Sequence, residues 1–229
     1  MRCFEWSPEP SRECDSRIDS SDPSAVELVS ASITLHMQAC RRAAEPVVVV
    51  CIGTDRSTGD ALGPLVGTSL RQLDGDALRV FGTLVDPVHA ANLADVLRRL
   101  PGRGSEPFVL AVDACLGQSD QVGTIAVGPG PVRPGAGVNK VLPAVGSVHV
   151  TGTVNVGGFM EYLVLQNTRL SLVMRMARVI SQGIVSSIRL CRGTDATDVG
   201  EGAVMMPHAE RAVNEGEAPA HLPRRVVIP

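Results

Sequence analysis

The stretch VVVVCIGTDRSTGDALGPLVG, residues 47–67, decides the fold class. It begins with an unbroken apolar run, which is typical of a strand buried on both faces of a parallel sheet. A glycine-containing loop follows, and the residues after this loop fit a helix. The loop is unusual because it carries two aspartates, Asp55 and Asp60, and a single cation, Arg56. A strand, a loop and a helix in this order indicate an α/β domain.

The loop after this strand does not have the features of a phosphate-binding loop. A P-loop follows the pattern GxxxxGK[ST], in which the lysine neutralises phosphate charge. Here Gly59 is followed by Asp60, whose carboxylate would repel a phosphate, and no GxGxxG pattern occurs at the turn. We therefore predict that this junction presents carboxylates and does not bind a nucleotide.

The rest of the chain continues the alternation of strands and helices. Helices are predicted from Asp-Pro starts and helical apolar spacing, and strands from short apolar runs. The predicted helices cover 22–42, 63–73, 86–100 and 158–180, and the predicted strands 46–53, 77–84, 107–115, 122–127, 147–152 and 184–190. This order predicts a three-layer α/β sandwich with a mostly parallel sheet and right-handed crossovers.

The flanks of the chain are expected to lie outside this domain. Residues 1–21 are rich in Ser, Asp, Glu and Arg, and the tail from 192 is polar with Pro and Gly. We expect both flanks to be disordered, with the folded domain spanning 22–191. Residues 128–146 form a long Gly- and Pro-rich loop inside the domain, and long loops in compact domains are usually functional.

Composition excludes several classes of function. A net charge of −3 and a pI near 6.0 argue against the basic surface of a nucleic-acid-binding protein, and 3% aromatic residues leave few rings for base stacking. The most apolar helix, within 159–180, is interrupted by charged residues, which excludes a membrane span. The six cysteines form no CxxC pair, which favours a reduced intracellular chain. With no apolar signal segment at the N-terminus, we expect a cytoplasmic protein.

Two aspartates are predicted to meet at one edge of the sheet. Asp60 lies in the loop after the first predicted strand, and Asp113 lies at the end of the third. Ligands bind at the carboxyl edge of open parallel sheets, so both side chains are expected there. Two chemistries remain open. The pair could share a proton and activate water, or it could hold a metal together with a histidine such as His149 or His89. His89 is expected in the first turn of the helix over 86–100.

Four segments of the chain resemble a known family. The segments CIGTDRSTGDALGPLVG, AVDACLG, RPGAGVNK and HVTGTVNVGGFMEYLVLQNTRLSLVM are similar to those of the YyaC family, a sporulation-associated spore protease family. The resemblance covers residues 22–182. More distantly, the chain resembles the spore germination protease and the hydrogenase maturation endopeptidases. This resemblance implies a phosphorylase/hydrolase-like sandwich and two essential aspartates, which correspond to Asp60 and Asp113.

The resemblance also implies residues that surround the aspartate pair. The two glycine-containing loops are expected to shape a cleft and to position substrate through Gly53, Thr54, Gly59, Gly135, Asn139 and Lys140. The hydrogenase maturation enzymes bind nickel through the equivalent acids and a histidine, which makes His149 a candidate third ligand for a divalent metal. The sequence itself requires no cofactor.

The resulting hypothesis is an endopeptidase of sporulating or germinating cells in which Asp60 and Asp113 activate water. Its partners would be protein or peptide substrates, with small acid-soluble spore proteins as candidates and neither nucleic acid nor membrane expected. Its location would be the cytoplasm of the mother cell or forespore, or the spore core. The alternative is a non-catalytic sporulation protein on the same fold that binds a metal or a partner. The sequence predicts no oligomeric state.

Overall fold

A computed structural model describes five segments of the chain and gives the bounds of its strands and helices. The described residues are 16–41, 46–74, 78–100, 107–135 and 142–198. The strands are β1 (Ser16–Asp19), β2 (Val47–Cys51), β3 (Arg79–Phe81), β4 (Phe108–Gly117), β5 (Thr124–Pro129) and β6 (Val148–Val156). The α-helices are α1 (Ala25–Cys40), α2 (Leu62–Asp74), α3 (Leu93–Arg98), α4 (Glu161–Gln166) and α5 (Leu170–Asp198), and Ser119–Gln121 forms a short 3-10 helix.

The six strands form a single sheet in the order β1-β5-β6-β4-β2-β3. The neighbours β6, β4, β2 and β3 are parallel, whereas β5 is antiparallel to both β1 and β6. The predicted mostly parallel sheet is therefore confirmed. A helix or a longer crossover joins each pair of parallel strands, because parallel neighbours cannot be linked by a tight turn.

Hydrophobic side chains cover both faces of the sheet, which explains why the β2 sequence shows no polar alternation. Val49 and Cys51 pack in a cluster with residues of α1, α2 and α5. Val48 and Val50 point to the other face and pack in a second cluster with Leu93 of α3. All four are fully buried, and each such valine contributes roughly 1.5–3 kcal/mol through burial. The three-layer α/β architecture is thus confirmed.

The N-terminal boundary of the domain lies earlier than predicted. Residues 16–21 were expected to be disordered, but Ser16–Asp19 form β1, which pairs with β5 at the edge of the sheet. Ile18 is buried in the core, whereas Arg17 and Asp19 are exposed. The sequence of this segment is therefore mostly polar, like that of a disordered segment. The following helix begins at Ala25 and not at Pro23, because the Asp22 carboxylate closes a turn by accepting the N–H of Ser24 at 2.7 Å.

The C-terminal half of the domain also differs from the prediction. The strand predicted over 184–190 is wrong, since this segment lies within α5. Its buried residues Ile184 and Ile188 recur at helical spacing. The single helix predicted over 158–180 is divided into α4 and α5. The predicted boundary at 191 is also wrong, because α5 continues to Asp198.

The helix predicted over 86–100 is shorter than expected and occupies only Leu93–Arg98. Val88 forms a parallel bridge with Ile52 and so extends the sheet instead of entering a helix. The Asn92 side chain then accepts the N–H of His89 at 2.8 Å and closes the turn before α3. His89 therefore precedes the helix and does not lie in its first turn.

The cysteines and the helices of the described residues agree with two expectations from composition. Cys40, Cys51, Cys115 and Cys191 are free thiols, as the absence of CxxC spacing predicts. Cys51 is fully buried and behaves as a small apolar core residue. Within the ranges given above, no helix combines the length and the hydropathy needed to cross a bilayer.

Candidate active site

Asp113 lies where β4 passes beyond the end of β2. Cys51 is the last residue of β2 and pairs with Val112, and Asp113 is the next residue of β4. We predicted that the strand ends near this aspartate, but β4 continues to Gly117 because β6 pairs with it along this length. Asp113 is therefore inside its own strand, yet it lies at the edge where the neighbouring strand β2 stops.

Asp60 is held by a loop with a fixed backbone between β2 and α2. The carbonyl oxygen of Asp60 accepts the N–H of Thr54 at 3.1 Å, which joins the two ends of the loop. The N–H of Gly59 donates to the carbonyl oxygen of Leu165 at 2.9 Å, which ties the loop to α4. These bonds hold the Asp60 backbone at the same edge as Asp113, and the two carboxyl groups interact electrostatically.

The surroundings of both aspartates favour the protonated form. The pKa of Asp113 is raised to about 8, chiefly by burial and also by the charge of Asp60, against the opposing effect of the Ala114 amide, which donates to Oδ1 at 2.9 Å. Burial also raises the pKa of Asp60, and the Ser57 hydroxyl opposes this rise although it forms no well-shaped hydrogen bond. The pair thus retains a proton near pH 7, and Asp113 binds this proton more tightly than Asp60 does.

The raised pKa of Asp113 predicts a pH dependence of stability. The folded chain binds the Asp113 proton more tightly than the unfolded chain, so this stabilisation is complete below about pH 4 and is lost as pH rises through about 8. Asp113→Asn removes this loss. The difference between the melting temperature of Asp113→Asn and that of the wild type should therefore increase between pH 5 and pH 8.5. A thermal denaturation series checks this, with exposed Asp55→Asn as the control. A difference independent of pH would contradict the prediction.

Polar side chains lie beside Asp113, and one of them, Cys115, was not predicted as a site residue. Cys115 is two residues further along β4 and so lies on the same face as Asp113. Its Sγ is 3.5 Å from the hydroxyl oxygen of Thr153 on β6, and burial raises the pKa of this thiol. Thr151 pairs with Asp113 across the sheet. The alternation of strand residues is the sequence signal for Cys115, and the polar residues of the segment HVTGTVNVGG are the signal for Thr151 and Thr153.

The predicted substrate-binding residues of the first loop lie close to Asp60, but two of them pack against protein. A side chain at Gly53 would overlap the carbonyl oxygen of Asp60, and one at Gly59 would collide with Leu165. These glycines therefore permit close backbone contact within the loop. Thr54 is partly exposed and its hydroxyl accepts the N–H of Arg56 at 3.3 Å. A direct contact of the three with substrate stays a prediction.

The second predicted loop is described only in part. Gly135 is partly buried, in a turn, and has φ +75°. Val132 and Val145 form an antiparallel bridge that joins the two described ends of this loop. Asn139 and Lys140 lie outside the described residues, so their predicted contacts with substrate remain predictions.

The histidines do not complete a metal site with the aspartates among the described residues. His149 lies on the same face as Asp113, but it is buried and its Nδ1 is 3.1 Å from the carbonyl oxygen of Gly130. His89 Nδ1 accepts the N–H of Ala91. Within the described ranges, no three His, Cys, Asp or Glu side chains are grouped closely enough to hold a metal ion. The described donor set of Asp60, Asp113 and His149 therefore does not fit the predicted metal.

A largely apolar cavity of about 520 Å³ lies beside the Asp60 loop. It is formed by the end of β6, the following turn and α4, and its lining residues are Asn155, Val156, Gly157, Phe159, Met160, Leu163, Val164 and Asn167. Phe159 is 79% exposed, which is unusual for so large an apolar side chain. The loop and the cavity are neighbours because Gly59 bonds to Leu165, which follows the lining residue Val164.

The chain is similar to a known protein sequence and, at low similarity, to a solved structure. The chain is 57% identical over 152 residues to the uncharacterized protein YyaC of Bacillus subtilis (strain 168), and this alignment covers 66% of the chain and 74% of YyaC. The resemblance to YyaC predicted from the sequence motifs is therefore confirmed. A crystal structure of the [NiFe] hydrogenase maturation protease HycI from Thermococcus kodakarensis KOD1 superposes with a TM-score of 0.42 and 14% identity, covering 66% of this chain and 97% of HycI.

A protein-family model matches most of the domain. It matches residues 17–183, which begin within β1 and end within α5, and so includes both aspartates. It also includes Arg17 and all of the sheet except Ser16, whereas the resemblance seen in the sequence began at residue 22. The chain belongs to the family described as Protein of unknown function (DUF1256).

Proposed function

We propose that this protein hydrolyses peptide bonds with Asp60 and Asp113 acting together on a water molecule. The observation that carries the proposal is the placement of two carboxyl groups at one edge of the sheet, where burial and the neighbouring Asp60 raise the pKa of Asp113 to about 8. Two carboxyl groups with different proton affinities are the arrangement that acid–base catalysis of hydrolysis uses. Asp113 also keeps partial solvent exposure, so water and substrate have access to it.

In the first step, Asp60 acts as general base and Asp113 as general acid. Asp60 takes a proton from water, whose oxygen forms a bond to the carbonyl carbon of the scissile peptide. Asp113 donates its proton to the carbonyl oxygen, which prevents a full negative charge from developing there. The product of this step is a neutral tetrahedral diol, with Asp60 protonated and Asp113 ionised.

In the second step, the carbon–nitrogen bond breaks and the protons return. Asp60 donates its proton to the leaving nitrogen, and Asp113 takes a proton from one hydroxyl of the diol as the carboxylic acid forms. One water is consumed, one acid and one amine are released, and both aspartates regain their starting states. No metal takes part in these steps.

The substrate class follows from the surroundings of the aspartate pair. The apolar cavity next to the Asp60 loop suits an apolar side chain of an extended peptide. The resemblance to the spore protease family supports a role in sporulation or germination, which makes small acid-soluble spore proteins the first substrates to test. The HycI structure adds no support, because its likeness to this chain is too weak.

The experiment that tests the proposal is intact-mass analysis of small acid-soluble spore proteins and of a random dodecapeptide library after incubation with the protein. We expect discrete fragments from wild type and from Asp55→Asn, and none from Asp60→Asn. Equal fragmentation by wild type and by Asp60→Asn would contradict the aspartate mechanism. No fragments from any variant would contradict the proposal and favour the non-catalytic alternative, a protein that binds a partner through the same edge.

A further inference from the structure

A row of paired residues crosses the sheet from its edge to Asp113. Arg17 on β1 pairs with Ala126 on β5, Ala126 pairs with Thr151 on β6, and Thr151 pairs with Asp113 on β4. Neighbouring strands are about 4.8 Å apart, so the Cα atoms of Arg17 and Asp113 are separated by roughly 14 Å. All four side chains lie on one face, because residues directly opposite each other in paired strands share a face.

The surface between Arg17 and Asp113 is formed by small side chains. Ile125 and Val127 of β5 are buried in the cluster with α1 and α5, so Thr124, Ala126 and Gly128 face the other way. Ala126 and Thr151 are partly exposed, and neither is large enough to block an extended chain lying on the sheet. This part of the face forms a shallow floor that leads from Asp113 to the sheet edge.

Arg17 places a positive charge at the outer end of this floor. Arg17 is exposed, and it forms no ion pair with any residue of the described ranges. Its position is fixed because the next residue, Ile18, is buried in the core. The positive charge also reaches inward, since it lowers the pKa of the Cys115 thiol against the larger opposing effect of burial. The guanidinium therefore adds positive potential to the face that carries Asp113.

We propose that Arg17 forms a subsite for an acidic residue of the peptide substrate, two to four residues away from the bond that is cut. This inference rests on the proposed peptidase function and specifies its substrate. An extended peptide advances about 3.3 Å per residue, so two to four residues span roughly 7–13 Å. That range is slightly shorter than the separation of the two Cα atoms, and the long side chain of Arg17 spans the difference. Its guanidinium pairs with carboxylates through two parallel hydrogen bonds.

The test uses sequence profiling of a random dodecapeptide library after digestion. Wild type should enrich Asp and Glu on one side of the cut, two to four residues away. Arg17→Gln should lose this enrichment and cut acidic peptides about two- to fivefold more slowly. Arg17→Lys should keep part of the preference, and Arg17→Glu should favour basic residues instead. Arg178→Gln, which removes an exposed arginine from α5 on the opposite side of the sheet, should match wild type.

A binding arm separates failure of the subsite from failure of the peptidase proposal. The same library is passed over immobilised Asp60→Asn protein and over the Asp60→Asn/Arg17→Gln variant. Cutting without an acidic preference overturns the subsite and leaves the peptidase proposal in place. Absence of cutting, with acidic peptides retained only when Arg17 is present, supports the subsite and contradicts the peptidase. Absence of both cutting and Arg17-dependent retention overturns the subsite.

Discussion

Asp113→Asn and Asp60→Asn are each expected to lower kcat/KM for peptide cleavage by about 10²- to 10⁴-fold, which is the contribution of a positioned general acid or base. Asparagine has nearly the same shape as aspartate but can neither give up nor accept the proton that the reaction requires. The fold should persist in both variants, because the backbone bonds that hold the Asp60 loop do not involve the carboxyl groups.

The measurement is steady-state cleavage of the best peptide from the library digestion, with circular dichroism as the control for folding. Asp55→Asn should keep wild-type activity, because this exposed carboxylate lies in the same loop but forms no part of the pair. Wild-type cleavage should decrease as pH rises through about 8, where Asp113 loses the proton it must donate. Wild-type activity in either folded Asn variant would contradict the mechanism.

The sequence predicted the centre of the domain because its patterns there are unambiguous. The unbroken apolar run at Val47–Cys51 requires burial on both faces, which means a central parallel strand. The shared edge of Asp60 and Asp113 follows from this, since Asp60 lies in the loop after this strand and Asp113 lies beside the point where the strand stops. The placement of both aspartates at one edge was thus predictable, whereas their different proton affinities depend on burial that only the structure supplies.

There is a physical reason why the edges of the domain could not be predicted from the sequence. An edge strand buries only one side chain in two, and in Ser16–Asp19 only Ile18 is buried. Polar flanks with one apolar residue do not differ from a disordered segment in composition. The position of Arg17 on the same face as Asp113 was not predictable for this reason, because it depends on the pairing of four strands. In Ile184–Leu190, β-branched residues suggested a strand, but packing against α1 and α2 makes it helical.

Gly82→Ala is expected to lower the free energy of unfolding by about 3–5 kcal/mol, through overpacking and backbone strain together. Gly82 follows β3 with φ +88°, and a side chain there would overlap the carbonyl oxygen of Cys51 in β2. The carbonyl oxygen of Gly82 in turn fills the space that a side chain at Gly67 of α2 would need. The backbones of β2, β3 and α2 are therefore in direct contact at this point.

Gly123→Ala separates the two causes. Gly123 has a similar φ of +95°, but the nearest atom to an added side chain is Cδ1 of Leu172 at 3.5 Å, which is an ordinary contact. In this variant the free energy of unfolding should decrease only by the cost of backbone strain, about 1 kcal/mol. Urea denaturation followed by circular dichroism measures both variants. Equal losses would show that strain alone is responsible and that the close contact between β2, β3 and α2 tolerates a methyl group.

The same pair of variants tests whether the docking of α2 positions Asp60. α2 begins two residues after Asp60, and a side chain at Gly63 in its first turn would overlap the carbonyl oxygen of Ile52. A shift of α2 away from β2 would therefore move Asp60 relative to Asp113. We expect Gly82→Ala to reduce cleavage more than Gly123→Ala when both are assayed under conditions in which they are fully folded. Equal activities would mean that the bonds of the loop to Thr54 and Leu165 are enough to hold Asp60 in place.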